Sequence, residues 1–208
     1  MARHAHAGSD VQVIFLTDGR HGGGAMKSPD GTALGAQAVV SIRKAEAYRA
    51  AQALGVSALT FLDAEDSHLS SDTNVGLRLR DVLLREKPDI VYLPFFMEAH
   101  PDHRAASTVL CSATLGTALQ FECRGYEVWT PLLANSLVRI DETIDTKRRA
   151  MQCYGSQLAE IDYLHCMEGL NAYRAMSFGS PKVRFAEAFH ALSLADYRRL
   201  HQEVVGRQ

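Results

Sequence analysis

Apolar runs typical of β-strands alternate with helical patterns along the first half of the chain, and this alternation limits the fold more than any other feature. The predicted strands are residues 11–16, 58–62 and 90–96, and the predicted helices are residues 36–54, 75–85 and 105–119. Strands that alternate with helices form right-handed βαβ units, which build a parallel sheet covered by helices on both faces. We therefore expect an α/β fold with a mostly parallel sheet.

The pattern is less regular after residue 121. Here the sequence predicts strands at residues 126–130, 136–140 and 183–192, and helices at residues 144–158 and 161–176. Neither an internal repeat nor a low-complexity linker separates the two halves of the chain. We therefore expect residues 1–208 to form a single domain in which the second half folds onto the sheet.

Composition argues against two classes of protein. The chain has 22 Lys and Arg against 24 Asp and Glu, so its formal net charge is −2, and it lacks the positive field of a nucleic-acid-binding protein. The longest apolar runs, such as residues 11–16 and 90–97, are far shorter than the ~18–20 residues that span a bilayer, which predicts no transmembrane segment. No apolar signal-peptide core follows Met1, so we expect a cytoplasmic protein.

The segment His100-Pro-Asp-His103 is the most informative for chemistry. Its two imidazoles follow a predicted strand, where open α/β sheets bind ligands in the crevice beyond the strand ends. A neutral imidazole is a good zinc ligand, and Asp102 can orient a neighbouring ring by accepting its second N–H. The alternative is that Asp102 only caps a helix and that both histidines are ordinary surface residues.

Two other regions contain candidate binding residues. The glycine-rich loop at residues 17–24 lets backbone approach a ligand, but no helix follows it promptly, which argues against a dinucleotide fingerprint. Asp66 lies in a loop after a predicted strand, where a carboxylate can bind sugar hydroxyls or simply face solvent. Arg43 and Glu46 are three residues apart on a predicted helix, and composition alone favours a solvated ion pair.

Three segments together resemble the LmbE/PIG-L family of zinc-dependent de-N-acetylases. They are LTDGRHG at 16–22, IRKAEA at 42–47 and LPFFMEAHPDHRA at 93–105, and their order and spacing both match. The segments DTK at 145–147, YGSQ at 154–157 and AEAF at 186–189 resemble C-terminal elements of the family, so the resemblance covers nearly the whole chain.

The resemblance implies a Rossmann-like three-layer sandwich that removes an N-acetyl group from a glucosamine-containing glycoconjugate with one zinc ion and an activated water. It implies that His103 is a zinc ligand. It implies that His100 is the cationic imidazole that stabilises the oxyanion and protonates the leaving amine, with Asp102 tuning it. Arg43 and Asp66 fall where the family places residues that contact the substrate.

The sequence departs from the family in one respect. Family members end their first strand in A-H-P-D-D, which supplies two zinc ligands and the general base, and this sequence has no such motif. Residues 8–11 instead resemble the end of the family's first helix. We therefore expect an N-terminally truncated domain that lacks the first strand and most of the first helix, and a zinc site that is incomplete. Other ligands would then have to join His103, and the candidates are His100, Asp18, His21 and Glu98.

Three functional hypotheses stay open from the sequence. The first is a zinc-dependent deacetylase of a small N-acetylated sugar conjugate, inactive or weakly active as this chain. The second is a non-catalytic relative that binds a sugar conjugate or a protein partner without zinc. The third is a nucleotide-sugar enzyme with structural histidines, although no phosphate-cradling loop supports it. The glycoconjugate and the oligomeric state, a homo-oligomer included, are left open. Tyr126, Trp129 and residues 22–32 are candidates for a substrate rim, since aromatic faces stack on sugars, but the core is the favoured place for Trp129.

Overall fold

The computed structural model describes residues 1–22, 24, 26–28 and 30–206. Within them, helices and strands alternate along most of the chain. In order they are α1 Ala2–His6, β1 Gln12–Thr17, α2 Ala36–Leu54, β2 Ala58–Ala64, α3 Val75–Glu86, β3 Ile90–Pro94, α4 Pro101–Ala113, β4 Glu122–Tyr126, β5 Ser136–Arg139, α5 Ile144–Gln152, α6 Gly155–Leu158, α7 Tyr163–Ala175, β6 Ala186–Ser193 and α8 Leu194–Val205. Short 3-10 turns lie at Leu69–Ser71 and Met176–Phe178.

The strands form two sheets. In the first, β1 pairs in parallel with β2, so that Val13 lies opposite Leu59. The second has the order β3-β4-β6-β5, and β3 pairs in parallel with β4. Because β6 pairs antiparallel with β4, this sheet is mixed rather than purely parallel. The predicted α/β class is confirmed.

The chain divides into two compact units. One contains Met1–Asp66 and Val138–Glu187, and the other contains Ser67–Leu137 and Ala188–Gln208. The first has a core of small and branched side chains from α2 and β2, such as Val39. In the second, α3, α4 and α8 contribute buried residues that include Tyr197, and the expectation of a single domain stays a prediction.

Helices α2 and α3 follow the predictions from local sequence closely. The α2 helix ends where Gly55 adopts a left-handed conformation with φ of 72°, which a glycine does at little cost. In α3 the apolar stripe that predicted the helix is buried, and it consists of Val75, Leu79, Val82 and Leu83. Periodicity and a stop signal were therefore sufficient for these two elements.

The helix that follows β3 begins earlier and ends earlier than predicted. The α4 helix spans Pro101–Ala113 rather than residues 105–119. Proline suits the first turn of a helix because its missing N–H has no partner there, and the ring of His100 caps the turn. The histidine segment therefore forms the first turn of the helix.

The strand predicted at residues 126–130 is wrong in its position. The strand is β4 at Glu122–Tyr126, and residues 128–130 instead form a loop around the carboxylate of Glu98. Three backbone N–H groups of this loop donate to that carboxylate, so they are not available to a sheet.

The long helix predicted at residues 144–158 is interrupted. It divides into α5 and the short α6, and Ser156 in α6 donates to the buried carboxylate of Glu46. Beside it, Lys147 of α5 donates to Asn171 Oδ1 at 3.0 Å and to Glu187, which links α5 to α7 and to the start of β6.

Among the described residues, no helix has the length and apolar character needed to cross a membrane.

Candidate active site

Two histidines lie together at the N-terminus of α4. His100 is the N-cap residue, and its Nδ1 accepts a hydrogen bond from the backbone N–H of Asp102 at 3.2 Å. One turn further on, the ring of His103 lies with its centroid 4.8 Å from that of His100. Because Nδ1 of His100 accepts, a neutral His100 carries its proton on Nε2. Because Nδ1 is used by the cap, the group that a neutral His100 can donate is Nε2–H.

His103 is held in its neutral form. Burial lowers the pKa of His103 and the neighbouring His100 lowers it further, which together outweigh the opposite effect of Glu98. Its Nδ1 lies 3.5 Å from Glu98 Oε2, at the outer limit of a hydrogen bond. With the proton on Nδ1 facing the carboxylate, Nε2 keeps its lone pair. This tautomer can bind a metal ion or accept a proton.

Glu98 is the most deeply buried charged side chain in this region, with 2% of its surface exposed. Its carboxylate accepts from three consecutive backbone N–H groups, those of Val128 at 2.7 Å, Trp129 at 3.0 Å and Thr130 at 3.2 Å. Hydrogen bonds of this kind offset the large cost of burying a charge. Glu98 therefore fixes a loop beside His103.

Asp102 is buried, but its carboxylate bonds to backbone and not to an imidazole. Its Oδ2 accepts from Ser67 N at 2.6 Å and its Oδ1 accepts from Leu69 N at 3.2 Å. Ser67 has a positive φ of 68°, which is strained for a residue with a side chain, and the bond to Asp102 helps to hold it. The tuning of His100 by Asp102 stays a prediction.

Arg43 lies on α2 in the first unit, over the ring of Tyr154 at 5.5 Å from its centroid. Its Nη1 is 3.9 Å from Glu46 Oε2, and this buried nitrogen has no hydrogen-bond partner among the described residues. Glu46 is 3% exposed and accepts from the backbone N–H and the hydroxyl of Ser156 at 2.8 and 2.7 Å. The ion pair expected from composition is present at the outer limit of contact, but the expectation that it is solvated is wrong, because Glu46 is buried and accepts from Ser156.

Asp66 also lies in the first unit, in the loop after β2. Its Oδ2 accepts from the backbone N–H of His21 at 3.1 Å, and the ring of His21 lies 2.9 Å from its carbonyl oxygen. Nearby, Asp18 is buried and pairs with Arg20. Burial alone raises the pKa of Asp18, but the hydrogen bonds from Arg20 outweigh it and hold that pKa below its ordinary value. Two carboxylates of the same unit therefore hold Arg20 and His21 in place.

The family model for PIG-L, described as GlcNAc-PI de-N-acetylase, matches residues 1–114. The chain belongs to the PIG-L family. The diacetylchitobiose deacetylase of Thermococcus kodakarensis is 29% identical to this PIG-L family member in an alignment 173 residues long, which covers 74% of this chain. The chain spans 61% of the length of that relative.

Solved structures share the fold of this PIG-L family member. The N,N'-diacetylchitobiose deacetylase of Pyrococcus horikoshii aligns with a TM-score of 0.77 at 20% identity, covering 94% of this chain and 78% of that one. A conserved protein of Thermus thermophilus aligns with a TM-score of 0.74 at 25% identity, covering 91% and 84%. GalB, the 4-carboxy-2-hydroxymuconate hydratase of Pseudomonas putida, aligns with a TM-score of 0.77 at 22% identity, covering 92% and 87%. The predicted resemblance to LmbE/PIG-L proteins is confirmed.

The structure brings part of the predicted site together. His100, Asp102 and His103 lie on one helical turn in the second unit, whereas Arg43 and Asp66 lie in the first unit. Within the described ranges, no group of three or more His, Cys, Asp or Glu side chains is placed to hold a metal ion. A catalytic zinc typically takes three protein ligands and an open position, so these residues do not fit a complete zinc site.

Sequence reasoning missed two features of the site. Trp129 is 49% exposed, so its expected place in the core is wrong. Ser156 binds Glu46, whereas the sequence offers the YGSQ segment only as a resemblance to the family. Glu98, an acidic residue just after an apolar strand, is the sequence feature that relates to the position of Trp129. The three N–H groups that bind Glu98 are about 30 residues away along the chain, so the sequence does not reveal them.

Proposed function

We propose that this chain carries the site of a hydrolase that removes the N-acetyl group from a small amino sugar conjugate. The observation that carries the proposal is the histidine pair at the start of α4, where His100 presents an Nε2–H and burial keeps His103 neutral. Amide hydrolysis needs a donor for the developing oxyanion and a proton for the leaving amine. A capped imidazole beside a neutral one provides such groups in one place.

In this proposal His100 acts on the oxygen of the acetyl group and then on the amine. As a neutral ring it donates Nε2–H to the oxyanion that forms when water attacks the acetyl carbon, while Nε2 of His103 accepts the proton that the water loses. To act as the cationic acid that the family resemblance implies, His100 must also carry a proton on Nδ1. The bond from Asp102 N must then open, because Nδ1 can no longer accept. The N-cap is therefore part of the proton-transfer step.

Arg43 and Asp66 are the proposed contacts to the sugar conjugate. Arg43 has a buried nitrogen without a partner among the described residues, and a donor of this kind is satisfied when a ligand oxygen reaches it. Gly19 leaves room beside it, since a Cβ there would lie 3.3 Å from Arg43 Nε. Asp66 offers a carboxylate that already orders residue 21 of the same unit.

A more specific part of the proposal is that the hydrolase depends on zinc. This part rests on the family resemblance and on His103. The contact between His103 Nδ1 and Glu98 is the arrangement that commonly orients a metal-binding imidazole. Since the described residues do not form a complete site, we assign no step to a metal. Zinc content of protein purified without chelators tests this part. Stoichiometric zinc that is lost in His103→Ala supports zinc dependence, and a folded zinc-free protein contradicts it.

The assay for the activity is release of acetate from N,N'-diacetylchitobiose, with and without added zinc. Because a hydratase has a similar fold, the fold alone does not identify the reaction, and the product must be identified directly. We expect His100→Ala to lower the rate by about 10²-fold or more. His6→Ala, at an exposed position on α1, is the matched control and keeps the wild-type rate. No acetate under either condition, or equal rates for both variants, overturns the proposal.

A further inference from the structure

The loop beside His103 holds an exposed aromatic residue. Trp129, which is the single tryptophan of the sequence, has 49% of its surface exposed. Val128 before it is 44% exposed, and Met97 in the neighbouring loop is 54% exposed. Leaving large apolar groups in water opposes folding, and Glu98 joins the two loops that carry these residues, so they are candidates for a surface that contacts another molecule.

Glu98 fixes this loop in place. Its Oε1 accepts from Val128 N and Thr130 N, and its Oε2 accepts from Trp129 N. A loop tip with three consecutive N–H groups on one buried carboxylate has little freedom of its backbone. Trp129 is therefore exposed but well positioned, as a rigid binding surface requires.

One oxygen of Glu98 connects Trp129 with the candidate catalytic pair. Oε2 is 3.0 Å from Trp129 N and 3.5 Å from His103 Nδ1. The backbone of Trp129 and the imidazole of His103 thus contact the same atom, within one unit of the structure. If the acetamide group of a substrate lies at the histidines, the sugar that carries it lies near this loop.

We propose that Trp129 stacks against a pyranose ring of the substrate and that Glu98 positions Trp129 beside His103. The inference rests on the proposed function, which places an N-acetylated sugar at the histidines. An indole is flat, large and apolar on its faces, and the C–H face of a sugar ring is the part of a carbohydrate that such a surface binds. Val128 and Met97 add exposed apolar surface in the same two loops.

The single tryptophan makes the test direct, because all tryptophan fluorescence comes from residue 129. We expect N,N'-diacetylchitobiose to change the emission with saturation. Acetamide, which has the amide but no ring, leaves it unchanged. Acetate release without a fluorescence change at saturating sugar overturns the stacking role and leaves the proposed function standing. A saturable fluorescence change without acetate release does the reverse.

Kinetics separate stacking from a structural role. Trp129→Ala is expected to raise KM for N,N'-diacetylchitobiose by roughly threefold to tenfold, with the effect on KM rather than kcat. Trp129→Phe restores most of the affinity because it keeps an aromatic face. Tyr173→Ala, at an exposed aromatic residue on α7, is the matched control and leaves KM unchanged. Equal KM values for the alanine variant and the wild type overturn the proposal.

Glu98→Gln tests the positioning role. The amide nitrogen of glutamine donates, so it cannot accept all the N–H groups that meet the carboxylate. We expect a lower fluorescence anisotropy of Trp129 and a rise in KM similar to that of Trp129→Ala. If the variant folds with wild-type anisotropy and KM, Glu98 does not position Trp129.

Discussion

Ser156→Ala removes one donor from the buried carboxylate of Glu46, and its cost follows from the geometry. The hydroxyl of Ser156 lies 2.7 Å from Glu46 Oε2, and the guanidinium nitrogen Nη1 of Arg43 is 3.9 Å from the same oxygen. Glu46 is 3% exposed, so water cannot replace the lost donor easily. A hydrogen bond to a charged group contributes about 1.5–3 kcal/mol. We expect the free energy of unfolding to fall by that amount.

Urea unfolding followed by circular dichroism measures the change in the free energy of unfolding, and thermal unfolding measures the change in Tm. For a chain of this size, about 1.5–3 kcal/mol corresponds to a fall in Tm of roughly 3–12 °C. Ser41→Ala is the matched control, because its exposed hydroxyl donates to Gln37 O on the same helix. We expect the control to change stability by less than about 0.5 kcal/mol.

A double-mutant cycle isolates the interaction. If the bond carries the cost, Ser156→Ala has little further effect in a Glu46→Gln background, because the carboxylate that needed the donor is gone. The reasoning is refuted if Ser156→Ala is as mild as Ser41→Ala. It is also refuted if its cost is the same in both backgrounds.

Two further predictions concern stability. Burial lowers the pKa of His201, so the unfolded state binds more protons below about pH 6.5 and the free energy of unfolding falls as the pH decreases through that range. Between pH 7.5 and 5.5, the free energy of unfolding measured in urea is expected to fall less in His201→Gln than in the wild type. An equal fall in both proteins contradicts this. Gly125→Ala is expected to destabilise by about 1–3 kcal/mol, since a Cβ there would lie 2.5 Å from Phe95 Cδ2. Gly169→Ala is the control, because the added Cβ would have nothing within 4 Å, and it is expected to raise Tm in thermal unfolding. A similar fall in Tm for both glycine variants would disprove the packing argument.

Local sequence determined the elements whose signals lie within a few residues. The α2 helix carries good helix formers and stops at Gly55, and the stripe of α3 repeats at helical spacing, so neither needed a distant partner. The same holds for the placement of His100 and His103 after β3, because an apolar strand and a proline-led turn are both local patterns. The PIG-L family was recognised from the order and spacing of such segments.

Tertiary structure decided the features that depend on buried carboxylates. Glu46 accepts from Ser156 across 110 positions, in the short helix that follows the break in the helix predicted at residues 144–158. Glu98 accepts from Trp129 N across 31 positions, in a loop where the sequence predicts a strand at 126–130. Asp102 meets Ser67 across 35 positions. A buried charge must find donors wherever the fold supplies them, and periodicity along the chain has no information about partners so far away.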